Sequence, residues 1–256
     1  MIVIRSLLLS FFLLILTACS HSPYTGRKQL IIVSPSQEIQ MGIQAQREIL
    51  SHEPISHDPR LNAMVRRVGS RIARAANQPN YQWEFHVIKS PQMNAFCLPG
   101  GKIFVYTGLF KVVNNENELA IVLGHEVAHA IARHGAERIS MMQLGDLAKQ
   151  IALKKAGPRY QNIINQAYGI GANYGVFLPY SRKFEYEADE IGLYLAAKAG
   201  YDPRVAIEFW NKMRLMSKNM RKPPEFASTH PSDDHRIQRL QAIMPRAVAI
   251  YNQSKR

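Results

Sequence analysis

Apolar positions recur at helical spacing on both sides of one short alternating stretch. Ile39, Ile43 and Ile49 mark the buried side of a helix over 36–50, with Ser36 as its N-cap. A second helix runs from Asp58-Pro59 to Ala76, with Leu61, Met64, Val65, Val68 and Ile72 on one face. Arg60, Arg66, Arg67, Arg71 and Arg74 ride mostly on the other side, as a solvated face or a surface for an acidic partner. The period then changes. Trp83–Ile88 is aromatic and branched, as strands are, and Met93–Leu98 and Lys102–Thr107 flank a Pro99-Gly100-Gly101 hairpin turn. That glycine pair is no phosphate loop, because no Gly-Lys-Ser/Thr follows it. From Glu116 onward the pattern is helical. Between Ile139 and Tyr180 it carries Met141, Met142, Leu144, Gly169, Gly171 and Gly175, the makings of a mobile lid or of ordinary helix packing. Two helices, a small sheet and more helices, without internal repeats, predict one mainly helical α+β domain.

The first residues have a different character. Arg5 precedes an apolar run over 6–16, too short for a span of roughly 20 apolar residues, and a small residue follows, as in a secretory signal. Leu16-Thr17-Ala18-Cys19 resembles the bacterial lipobox, which implies cleavage before Cys19 and acylation of its thiol. The expected organisation is a lipoprotein signal over 1–18, a lipidated tether over 19–35 and the domain over 36–256. Ser20, where an Asp would retain the protein at the inner membrane, favours the outer membrane and a periplasmic orientation. Of the two cysteines, acylation of Cys19 leaves Cys97 unpaired as a small core residue, so no disulfide framework is expected.

Composition narrows the classes. At 256 residues, with 46% hydrophobic and 20% charged, the chain is not disordered, collagen-like or a polytopic membrane protein. Its net charge of +13 draws it to anionic surfaces. With no nucleic-acid motif and an export signal, those surfaces are lipid headgroups rather than nucleic acid.

The chemistry concentrates in the helical run over 117–134, which contains His125-Glu126-Val127-Ala128-His129. Four residues apart, the two imidazoles sit about 40° apart around the axis and one turn apart along it. Both reach one Zn²⁺ at about 2.0–2.1 Å, and Glu126 stands where it can take a proton from the attacking water. His134 projects about 140° from His129 and is expected in solvent. A third ligand is needed. Ala132 and Gly135 exclude the Gly and His of the metzincin pattern, leaving a downstream carboxylate. Glu185 and Asp189 share a helix face four residues apart; Glu185 is the expected ligand and Asp189 the acceptor for a ligating imidazole N–H. Glu187 points elsewhere and is the weaker candidate.

Gly124-His125-Glu126-Val127-Ala128-His129, Arg182-x-x-Glu185-x-x-Ala188-Asp189 and Thr229-His230-Pro231 together resemble the M48 zinc metallopeptidases. The similarity is greatest to the bacterial periplasmic lipoprotein branch and its OMA1-like relatives. It implies a gluzincin fold, one zinc ion per chain and endopeptidase action on misassembled or damaged membrane-associated proteins. No helical repeats or membrane spans of the kind some members carry are present, so repeat-mediated recruitment is not implied. Asn94-Ala95-Phe96 matches the family's edge strand, which holds an extended substrate peptide by strand addition. Held extended by Pro231, His230 either donates to the oxyanion or fills zinc's fourth position at rest. Arg236 is expected to pair with an acidic residue near the site, and His235 to face solvent. The competing reading is a periplasmic holdase with a structural zinc and no proteolysis. The oligomeric state is unspecified.

Overall fold

The computed structural model describes residues 19–22, 24–155, 178–219, 226, 229–230 and 234–255. The expected signal over 1–18 and most of the expected lid, residues 156–177, lie outside the described residues. The chain divides into two compact units, one of Glu38–Ile131 with Phe184–Arg256, the other of the chain up to Gln37 with Ala132–Lys183.

In the larger unit, α2 (Pro59–Ala76) begins where Asp58 accepts hydrogen bonds from the amides of Arg60 and Leu61 at 2.8 and 3.2 Å. It ends as Asn77 turns left-handed at φ 48. Val65, Val68 and Ile72 are fully buried, while Leu61 and Met64 are only half-covered. Arg60, Arg66, Arg67 and Arg74 are exposed, and Arg71 lies over the Tyr201 ring.

The sheet holds β3 (Glu84–Ile88), β4 (Ala95–Leu98) and β5 (Lys102–Tyr106) in the order β3-β5-β4. Central β5, buried at every residue, is parallel to β3 and antiparallel to β4. The β4–β5 hairpin closes through Gly100 and Gly101, both at positive φ. Among the described residues β4 is therefore an edge strand.

α1 (Pro35–His52) departs from expectation in two ways. Its cap is Ser34 rather than Ser36: Ser34 Oγ accepts from the Gln37 amide at 3.3 Å, and Gln37 Oε1 accepts from the Ser34 amide at 3.0 Å. Its fully buried stripe is Glu38, Gly42 and Gln46, not the isoleucines. A Cβ at Gly42 would stand 2.1 Å from the Pro99 carbonyl oxygen, so that helix turn rides directly on the hairpin. Gln46 then donates to Glu84 at 2.6 Å. Ile49 still packs partly against Ile88, Phe104 and Tyr106.

After a 3-10 turn at Thr107–Lys111 come α3 (Glu116–Ile131), α5 (Leu178–Lys198), α6 (Val205–Asn219) and α7 (Asp234–Ser254). α3 is buried almost all round, which suits its mostly apolar sequence. It meets α5 backbone to backbone. A Cβ at Gly124 would stand 2.6 Å from the Gly192 carbonyl oxygen, and one at Gly192 would stand 2.7 Å from the His125 nitrogen.

The smaller unit holds paired strands over part of residues 19–35. β1 (Cys19–His21) pairs antiparallel with β2 (Lys28–Leu30). Arg27 donates to both Glu137 oxygens at 3.0 and 2.7 Å, and Gln29 donates to the Ala132 carbonyl at 2.6 Å. The polar side chains that read as linker thus satisfy a buried carboxylate on α4 (His134–Lys155). His134 is corrected: it is 3% exposed, not solvent-facing. α3 stops at Ile131, Arg133 takes φ 58, and a new helix starts at His134, so extrapolation along one axis fails. No helix among the described residues is long and apolar enough to cross a membrane.

Gly192→Ala has no room on either side of the α3–α5 contact, and both obstacles are backbone. We expect a loss of about 1–3 kcal/mol in denaturant unfolding; unchanged stability would show that the two helices are not held this close.

Candidate active site

Two helices and one loop converge on a single point. α3 supplies His125 and His129, α5 supplies Glu185, and His230 precedes α7; one ligand atom from each lies within 4.8 Å of the others. His125 Nε2 lies 3.1 Å from His129 Nε2, 3.1 Å from His230 Nδ1 and 3.2 Å from Glu185 Oε2. Glu185 Oε1 lies 3.4 Å from His129 Nε2, and Oε2 lies 3.1 Å from His230 Nδ1. A tetrahedron with zinc bonds of about 2.0–2.1 Å has edges of roughly 3.3–3.4 Å, close to these separations. The donors are imidazole nitrogens and a carboxylate, the set zinc prefers. The residues present fit a zinc ion.

The electrostatics point the same way. Burial works against the charge on Glu185, but His129 and His125 hold its carboxyl far below the usual range, so it is ionised. Burial lowers the pKa of His129, and lowers that of His230 to about 3, which favours the neutral imidazole that zinc binds. Burial opposes protonation of His125 too, yet contacts with Asp189 and Glu185 outweigh it and raise the group to about 9. The carboxylates demand a positive charge at this spot, which a proton or a divalent cation supplies.

Behind the ligands stands a rigid support. His125 Nδ1 lies 3.0 Å from Asp189 Oδ1, which leaves Nε2 facing the ligand cluster. Arg236, 1% exposed, donates through Nε and Nη2 to both Asp189 oxygens at 2.7 and 2.6 Å. Its Nη1 donates to the His230 carbonyl at 3.1 Å and lies 3.3 Å from Glu185 Oε2. Burial disfavours the Asp189 anion, but Arg236 more than compensates and keeps its pKa low.

Glu126 sits beside the cluster. Burial pushes its carboxyl up to about 8; neighbouring His125 opposes this and Glu185 adds to it. Its Oε1 is buried without a hydrogen bond, 3.4 Å from His230 Nε2. A carboxylate oxygen left open beside a metal-binding cluster suits a base awaiting water.

The expected substrate segment divides between faces. Ala95 is buried, and burial with the Glu126 charge pushes the Cys97 thiol upward. Phe96 points to the opposite face, stacked on Phe104 at 5.1 Å, so its side chain does not line the catalytic face. Phe96 pairs with Phe104 in the ladder. Cys97 is half-buried and free, rather than a full core residue. Glu187 is buried and stands outside the ligand group. His235 is exposed, as expected.

Two aromatic residues escape sequence reasoning. Trp210 on α6 lies 5.4 Å from the His125 ring, under Arg236 at 4.0 Å and stacked on Phe226 at 5.9 Å. Phe226 in turn lies 4.9 Å from the His230 ring. The available signals were Trp as one of only two in the chain and Phe226 one helical turn before His230.

A paired-histidine helix, a carboxylate ligand from a second helix and an adjacent buried glutamate define a metalloendopeptidase. The chain belongs to Peptidase family M48, whose model matches residues 59–244. It is 36% identical over 236 residues to the mitochondrial metalloendopeptidase OMA1 of Schizosaccharomyces pombe, covering 90% of this chain and 68% of that protein. To human metalloendopeptidase OMA1 it is 33% identical over 257 residues, 94% of this chain and 49% of that protein. To the beta-barrel assembly-enhancing protease of Escherichia coli it is 29% identical over 222 residues, 84% of this chain and 45% of that protein. The chain thus spans about half to two thirds of the length of these relatives.

Asp189→Asn removes the charge that holds His125 and binds Arg236. Zinc affinity is expected to fall by about 10–100-fold in chelator competition; unaltered affinity would show that Asp189 does not orient the ligand.

Proposed function

We propose that the chain is a zinc-dependent endopeptidase of the bacterial cell envelope that hydrolyses peptide bonds of misfolded or damaged membrane-associated proteins. The observation that carries this reading is the near-tetrahedral set of His125, His129, Glu185 and His230 beside the open carboxylate of Glu126. A bound zinc ion would polarise the scissile carbonyl and acidify the attacking water.

The chain's own residues do the rest. Glu126, in its ionised form, takes the water's proton on its carboxylate and passes it to the leaving nitrogen; burial, which raises its pKa to about 8, makes that carboxylate a stronger base. Asp189 and Arg236 hold His125 and the His230 carbonyl still while this happens. His230, at the fourth corner, occupies the position water needs; withdrawn from it, the imidazole can donate to the carbonyl oxygen as charge develops there. In this reading the open side of β4 holds an extended peptide by backbone pairing, which suits unfolded substrates of varied sequence.

The location rests on the lipobox-like run before Cys19 and the +13 charge. We place the protein on the periplasmic side of the outer membrane, held by acylated Cys19, with unfolded or misassembled proteins as partners. A holdase with structural zinc is the second reading, because four protein ligands are also how structural zinc sites are built.

Glu126→Gln separates the two readings. It should keep fold and zinc while cutting casein cleavage by about 10²–10⁴-fold, and a chelator should abolish cleavage by the unaltered protein. Cleavage retained by the variant would overturn the peptidase reading. No cleavage by either protein would favour the holdase.

A further inference from the structure

The open edge of β4 and the fourth corner of the ligand cluster are joined by one short run of chain. The β4–β5 ladder uses the even-numbered residues of β4, since the Tyr106 amide donates to the Asn94 carbonyl at 3.0 Å. Alternation then turns the backbone groups of Met93, Ala95 and Cys97 toward the open side, where an added strand would pair.

Two of those groups are already engaged. The Phe226 amide donates to the Met93 carbonyl at 3.0 Å, and the Ala95 amide donates to Asn94 Oδ1 at 2.9 Å. From Phe226 the connection continues inward. Its carbonyl accepts from the His230 amide at 2.8 Å, its ring lies 4.9 Å from the His230 ring, and Trp210 stacks on it at 5.9 Å. His230 Nδ1 then faces His125 and Glu185.

The geometry points to Phe226 as a positioning residue that makes strand addition at β4 and seating of His230 in the ligand cluster mutually exclusive. A peptide that pairs along the whole open edge must take the Met93 carbonyl from Phe226. Once Phe226 leaves, His230 loses both the hydrogen bond to its amide and the ring packed on its imidazole. The ligand that opens the site is therefore an extended polypeptide with unpaired backbone groups, and a folded protein does not qualify. Substrate is selected by its lack of structure before any side chain is read. This rests on the proposed function, which supplies the peptide and the catalytic role of the fourth corner.

The test uses the full chain as Glu126→Gln, zinc-loaded, with a synthetic casein-derived peptide. Amide hydrogen exchange at Phe226 and His230 is followed with and without the peptide. Bound peptide should speed exchange at both amides by about tenfold or more, while β5 amides stay protected. Adding Phe226→Ala, which keeps the amide and removes the ring, should tighten peptide binding by up to about tenfold, because the seat that competes with the peptide loses its aromatic packing on Trp210 and His230. If that variant does not fold, His230→Ala frees the same run of chain from its other end and should tighten binding likewise. Peptide bound with exchange unchanged at Phe226 and His230 would overturn the coupling and leave the peptidase reading intact. Failure of the peptide to bind would overturn strand addition and the coupling together, whereas a protein without zinc would sink the peptidase reading itself.

Discussion

Everything at the site depends on how closely two helix backbones approach. Gly124 and Gly192 carry no side chains, and α3 and α5 touch there through main-chain atoms. One of those atoms is the nitrogen of His125, the first ligand. With helices this near, the short arm of Glu185 spans the gap to both imidazoles. Any side chain at either glycine would wedge the ligand helices apart, and the fixed lengths of His and Glu could not make up the difference.

The close approach forces charges into a dry interior. Glu126, Glu185, Asp189 and Arg236 are all buried within the larger unit. Such a group is stable only where each charge has a partner at hydrogen-bonding distance, and losing one partner leaves the other stranded at a cost of about 3–5 kcal/mol. Arg236 meets that need for Asp189, and Trp210 covers the guanidinium face. Glu185 and Glu126 rely on the imidazoles and on whatever cation they enclose. The cluster spends folding stability to keep a divalent ion's place shaped in advance.

How much of this could be read from the sequence follows from distance along the chain. The His125–His129 pair, the Glu185–Asp189 pair and the β4–β5 hairpin are each set within a few residues, and helix or strand period reveals them. Arg236 was legible as a basic residue needing an acid, though the acid's identity came only from the fold. Phe226 stands one helical turn before His230, but nothing local ties Trp210 to the histidines. Period also misled. His134 looked solvent-facing because the helix was extrapolated past Arg133, and α1 looked isoleucine-packed although its buried stripe is polar and small. At α1 contacts from remote segments decided the outcome: Pro99 against Gly42, Glu84 against Gln46.

The hairpin of β1 and β2 bears on how the molecule would be moored. Cys19 is the first residue of a paired strand, in register with Leu30, and Gln29 and Arg27 fasten the partner strand to Ala132 and Glu137. Acyl chains on that cysteine would emerge from folded structure without a slack leash. A lipid carried there would hold the smaller unit against its membrane through a short connection, because the strand that bears the cysteine is itself paired.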